Sequence, residues 1–148
     1  MTKLENEIVI NASLEKIWGL LAAPADLDKF DPTVKKSTLI SNEKTGLGAK
    51  RKVEMLDGKN WFEDKITVYD PSKILGYQLT NCSFPMKSLK FTYTFEKVGE
   101  EIKVKQEMVY VVKFGFLGKM MDSMMIRKQS NIGIRKFFVG LKDYAEKN

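Results

Sequence analysis

A chain of 148 residues with 25 basic and 19 acidic side chains, a net charge of +6 and 43% hydrophobic residues has the size of one domain, spanning 1–148, and an ordinary globular composition. It has no histidine and one cysteine, Cys82, which excludes an internal disulfide, a Ser–His or Cys–His nucleophile pair and a metal site built on imidazoles or paired thiolates.

The lysines are scattered and interleaved with acids rather than gathered in a block or along one helix face, so no nucleic-acid partner is expected. Gly46-x-Gly48 is a hairpin signal and not a phosphate-cradling loop, and no acidic cluster has metal-ligand spacing, so no cofactor or metal is expected. The opening MTKLENEIVI lacks a long apolar segment, and no run of about eighteen apolar residues occurs. A cytoplasmic protein is the expectation.

Residues 3–10 alternate weakly and end apolar, which predicts a first strand. Asn11 or Ser13 then caps a short helix with an acid in its first turn and Ile17, Trp18, Leu20 and Leu21 on its buried side. Ala22-Ala23-Pro24 breaks that helix. Residues 25–30 read as a second short helix, stopped at Asp31-Pro32 because a residue before proline avoids helical backbone. From Thr33 onward the apolar period becomes two. Strands are predicted at 34–41, 49–56, 61–69, 74–81, 89–98 and 102–113, with turns at Gly46/Gly48, Asp57-Gly58, Asp70-Pro71-Ser72 and Gly99-Glu100 and a looser link at 82–86. Strands gathered in one block with tight turns argue an antiparallel meander.

Residues 116–146 contain no proline and carry a helical apolar pattern. One track runs Met120, Met124, Arg127, Asn131, Ile134, Phe138, Leu141, Ala145, apolar at both ends and polar in the middle. A continuous core gives no reason to place Arg127 and Asn131 on that stripe, whereas an internal pocket does, and Ser130 lies with them on the inward side. This helix is also the element long enough to cover the sheet. Alternation proposes the inner face of the sheet: Arg51, Val53, Met55; Phe62, Asp64, Ile66, Val68; Leu75, Tyr77, Leu79; Leu89, Phe91, Tyr93, Phe95; Ile102, Val104, Gln106, Met108, Tyr110.

The order of elements resembles the helix-grip superfamily of START lipid-transfer domains, polyketide cyclases and birch-pollen-allergen proteins. The resemblance is carried by Ile17-Trp18-Gly-Leu-Leu21 after the first strand, Phe30-Asp-Pro32, Gly46-x-Gly48-x-x-Arg51, Asp70-Pro71 before Leu75-x-Tyr77, and the closing Leu141-Lys142-x-x-Ala-Glu146. It implies an α+β helix-grip fold: a curved seven-stranded antiparallel sheet wrapped around a long C-terminal helix, with two short helices between the first two strands. It further implies a cavity for hydrophobic ligands. In plant hormone receptors of this fold an acid and a last-helix polar residue line the pocket, and by position these resemble Asp64 and Asn131; the receptors' gate-loop motifs are missing here.

Arg51 and Asp64 are predicted inward on neighbouring strands. Read functionally, Arg51 grips a ligand carbonyl or carboxylate while Asp64 orients it or acts as base; read structurally, they neutralise each other as a buried pair. Tyr77, Tyr93, Tyr110 and Gln106 offer hydrogen bonds to a polar head group, or simply pack. Met120, Met121, Met124 and Met125 suit an adaptable pocket mouth that makes at most transient membrane contact, or pack against the loops at one end of the sheet. The candidate ligand-binding set is Arg51, Asp64, Tyr77, Phe91, Tyr93, Gln106, Met108, Met124, Arg127 and Asn131. The expected function is binding or transport of a lipid, polyketide or isoprenoid-like molecule between sheet and helix. The alternatives are a cyclase or aromatase using Asp64, a tyrosine hydroxyl and Arg51, and a protein-interaction module of the chaperone-activator type.

Overall fold

A computed structural model describes residues 1–115 and 125–147. The strands are β1 (Thr2–Ile10), β2 (Val34–Leu39), β3 (Lys50–Met55), β4 (Trp61–Asp70), β5 (Ile74–Cys82), β6 (Met86–Val98) and β7 (Glu101–Val112). They pair antiparallel throughout, in the order β1-β7-β6-β5-β4-β3-β2. β1 and β2 therefore form opposite edges, and the chain between them must cross the end of the sheet.

Two short helices make that crossing. α1 (Leu14–Ala22) begins where Ser13 Oγ accepts the Lys16 N–H at 3.2 Å, so the hydroxyl satisfies an amide with no partner inside the helix. It buries Ile17, Trp18, Leu21 and Ala22, and the Trp18 ring meets Tyr69 and Phe95 edge-on at 5.3 and 5.8 Å. The second predicted helix splits into a 3₁₀ turn, Pro24–Asp26, and α2 (Leu27–Phe30). Pro32 forces Asp31 out of helical backbone to φ −84°, ψ 110°, and α2 ends there.

Register breaks between Val34 and Lys36, at two places on β4 and between Met86 and Ser88 bend the sheet. The break between Ile66 and Val68 corrects the predicted inner face. It turns Val68 outward, 40% exposed, and brings Tyr69 inward against Trp18. Gly76 sits opposite Val68 at this bend, where a Cβ would lie 3.0 Å from Val68 Cβ. Strand β6 begins at Met86, three residues before the predicted start at 89, because its bulged first turn still pairs with β7.

The long C-terminal helix, α3 (Arg127–Lys147), buries Ile134, Phe137, Phe138, Leu141 and Ala145. It lies against β1 and α2. Near its C-terminus, Lys142 Nζ donates to the Val9 carbonyl at 2.9 Å and pairs with Glu146, whose carboxylate accepts the Asn11 N–H at 2.7 Å. Gly140 is the contact point with α2: a Cβ there would run into the Phe30 carbonyl oxygen and lie 2.7 Å from Pro32 Cδ. The architecture is an α+β helix-grip fold, a curved seven-stranded antiparallel sheet holding the last helix. Among the described residues no helix is long and apolar enough to cross a membrane.

Candidate ligand cavity

A cavity of about 170 Å³ lies where α3, the end of α2 and the inner face of the sheet converge. Its apolar wall is Leu27, Val34, Met55, Phe62, Phe91, Met108, Ile134 and Phe137; Asp31, Thr33, Arg51, Tyr93, Gln106 and Ser130 supply polar groups, and Gly133 completes the helix side. The Phe137 ring spans from α3 to the sheet, 6.0 Å from Tyr93 and 5.8 Å from Phe30.

Arg51 and Asp64 are direct cross-strand partners on β3 and β4. Arg51 Nε and Nη2 donate to the two Asp64 oxygens at 2.8 and 3.1 Å, a forked pairing, and Asp64 is wholly buried. Burial pushes the Asp64 carboxyl up, with the guanidinium pulling the other way. Burial also works against the Arg51 charge, but the Asp64 carboxylate beside it offsets this and holds the guanidinium protonated. The forked geometry is that of an ionised pair. The guanidinium carbon sits 4.2 Å from the Tyr77 ring centroid, and Tyr77 in turn donates its hydroxyl to the Leu21 carbonyl at 2.7 Å. This stack braces Arg51 from behind, and both donors directed at Asp64 are spoken for, so Nη1 is the nitrogen left out of that fork.

Asp31 is buried and uses one oxygen, Oδ1, to accept both the Thr33 N–H at 2.9 Å and the Thr33 hydroxyl at 2.7 Å. Burial raises its carboxyl, against the opposing pull of the Thr33 bonds and Arg51. Across the cavity wall, Gln106 Nε2 donates to the Tyr93 hydroxyl at 2.9 Å. Burial pushes both Tyr93 and Tyr77 above the ordinary phenol range, so both remain neutral hydroxyls.

Of the residues singled out from the sequence, Arg51, Phe91, Tyr93, Gln106 and Met108 line the cavity. Asp64 and Tyr77 stand one layer behind it, positioning Arg51. Met124 lies outside the described residues. Two expectations on the last helix are corrected. Arg127 is exposed: among the described residues the helix reaches the cavity wall first at Ser130, and a guanidinium keeps its solvent where the wall gives no reason to lose it. Asn131 is half-buried toward β1, where its side-chain oxygen accepts from Asn6 Nδ2 at 3.2 Å. Ser130, one residue earlier, takes the cavity side. Met125 is exposed. Asp31 and Thr33 were missed; their signal, Asp-Pro-Thr after a short helix, reads locally as a helix stop, and only the approach of α3 at Gly140 makes it a wall.

The sequence model of the family described as "Polyketide cyclase / dehydrase and lipid transport" matches residues 1–146. The chain belongs to this family. No curated protein matches it in sequence. Among solved structures it is similar to ginseng (Panax ginseng) major latex-like protein 151, with 14% identity, 97% of each chain covered and a TM-score of 0.79. It is also similar to a START superfamily protein from Mycobacterium smegmatis, with 13% identity, 98% and 97% covered and a TM-score of 0.78. A third is the di-domain ARO/CYC StfQ from the steffimycin biosynthetic pathway, with 11% identity, 97% of this chain and 44% of that one covered, and a TM-score of 0.74. These likenesses are of fold. Within the polyketide cyclase and lipid transport family, this member has a cavity-wall arginine backed by a buried aspartate and an acid at the end of its second helix. Among the described residues no His, Cys, Asp or Glu side chains gather as metal ligands.

Proposed function

We propose that this protein binds a hydrophobic small molecule in the cavity between the sheet and α3, as a carrier or sequestering protein. The observation that carries the reading is the cavity wall itself: predominantly apolar and aromatic, with a few convergent polar side chains. Affinity would come from apolar burial, about 0.8 kcal/mol per methylene removed from water, while Arg51, Tyr93 and Gln106 fix orientation. The family's description, which includes lipid transport, agrees. The test is native mass spectrometry of the purified protein, together with displacement of a fluorescent hydrophobic probe. Val34→Trp, which fills the cavity from β2, should abolish displacement; an unchanged probe affinity in that folded variant sinks the reading.

A second reading, an enzyme of cyclase type, is favoured by one observation. Asp31, a carboxyl with its second oxygen outside the Thr33 bonds, shares the wall with the Tyr93 hydroxyl and Arg51. Asp31 rather than Asp64 is then the candidate base, since both oxygens of Asp64 are held by Arg51. Turnover of a reactive polyketone that survives Asp31→Asn would remove this reading.

A further inference from the structure

Gln106 lies on β7 between Val104 and Met108 on the inner face, and it is 4% exposed. Its amide nitrogen is bonded to Tyr93, but its Oε1 is buried without a hydrogen-bond partner among the described residues. Turning the amide over does not cure this. Tyr93 would then donate to Oε1, and the NH₂ end would be stranded instead. A buried amide with one end unmet is disfavoured wherever a partner is absent. This one forms part of the cavity wall, so the partner it fits is a ligand group that can both donate and accept. A hydroxyl does both.

Charge and size narrow the class further. The Arg51 charge is already matched by Asp64 through both oxygens, and Asp31 stands on the same wall. A ligand carboxylate would be another anion gathered around one guanidinium, while a ligand ammonium would share the wall with that guanidinium and look for its counter-charge to Asp31, whose charged form burial disfavours. Either would also leave water for a mostly apolar wall. The volume, about 170 Å³, compares with the roughly 150 Å³ of a cavity that accepts benzene, so one substituted ring fits.

We infer that the cavity selects an uncharged, ring-sized molecule carrying a hydroxyl group, with Gln106 and Tyr93 reading that hydroxyl. The inference rests on the ligand-binding reading and narrows it. Arg51 Nη1, outside the fork to Asp64, offers a further donor to a carbonyl or hydroxyl oxygen on the same molecule.

The test compares toluene, 4-methylphenol, 4-methylbenzoate and 4-methylbenzylammonium, which share one ring and differ in the polar group, by NMR titration of the labelled protein. The phenol should bind about tenfold or more tighter than each of the others, because a site built for a hydroxyl rejects analogues that leave its polar groups unpaired. Gln106→Leu should reduce the phenol-over-toluene preference by about fivefold or more while toluene binds as well or better. Tyr93→Phe should lower the same ratio and serves if Gln106→Leu does not fold. Equal binding of phenol and toluene, tighter binding of either ion, or a ratio unchanged in both variants overturns the hydroxyl inference but leaves ligand binding standing. If no probe shifts the resonances of cavity residues, both readings fall.

Discussion

Breaking the Arg51–Asp64 pair tests the layer behind the cavity wall. Asp64 is fully buried and Arg51 nearly so, and both fork bonds are short. Removing one partner of such a pair leaves a buried charge uncompensated, at about 3–5 kcal/mol. At about 2–4 °C per kcal/mol for a domain of this size, Asp64→Asn should lower Tm by roughly 6–20 °C. Arg51→Met should behave differently, because the stranded Asp64 can take up a proton and a stranded guanidinium cannot give one up. Burial already raises the Asp64 carboxyl, and without Arg51 nothing opposes it. A raised carboxyl contributes stability that is present below its ordinary value and lost as pH rises through the folded value. The deficit of Arg51→Met should therefore shrink toward acid pH, whereas that of Asp64→Asn should not, since its stranded guanidinium stays charged throughout and the wild-type carboxyl it lacks is itself raised. The double variant Arg51→Met/Asp64→Leu should recover most of the loss, since apolar replacement of both partners is often close to neutral. Urea denaturation followed by circular dichroism at several pH values measures all of these variants. If both single variants fall within about 1 kcal/mol of wild type, or if the double is no better than the worse single, the pair is not coupled as argued.

Gly140→Ala should destabilise by about 1–3 kcal/mol or more, because its methyl meets the Phe30 carbonyl and Pro32 rather than open space; a thermal melt within 1 °C of wild type would refute the close approach. Asp31→Asn keeps an oxygen to accept the Thr33 bonds and removes a carboxyl that burial has raised above its ordinary 3.8. Its stability relative to wild type should improve as pH rises from below that ordinary value through the raised one, where the wild-type carboxyl ionises against burial, and an opposite trend in chemical denaturation would reverse the assignment. Tyr77→Phe removes the hydroxyl bond to the Leu21 carbonyl and should cost about 1–2 kcal/mol, measurable as a shift in urea midpoint at unchanged slope.

The sequence by itself determined the element order, the meander and the inward placement of most of one sheet face. These follow from local rules: a serine hydroxyl caps α1, a proline ends α2, and a period of two sorts side chains between core and water. Arg51 and Asp64 could be recognised as partners because alternation and hairpin spacing set cross-strand register. Alternation failed where a bulge adds a residue that no pattern announces, and Val68 left the core for that reason. It was also silent on the far side of the cavity. A helical wheel gives directions around an axis but not where along that axis the sheet begins, so it draws Arg127, Ser130 and Asn131 inward together, and of the three Ser130 takes the wall. Asp31 became a wall residue through contacts more than a hundred positions apart, where Gly140 lets α3 settle on the end of α2. Local chemistry fixed which polar groups the chain would bury; the packing of α3 decided which of them face the cavity, and left one end of Gln106 without a partner among the described residues.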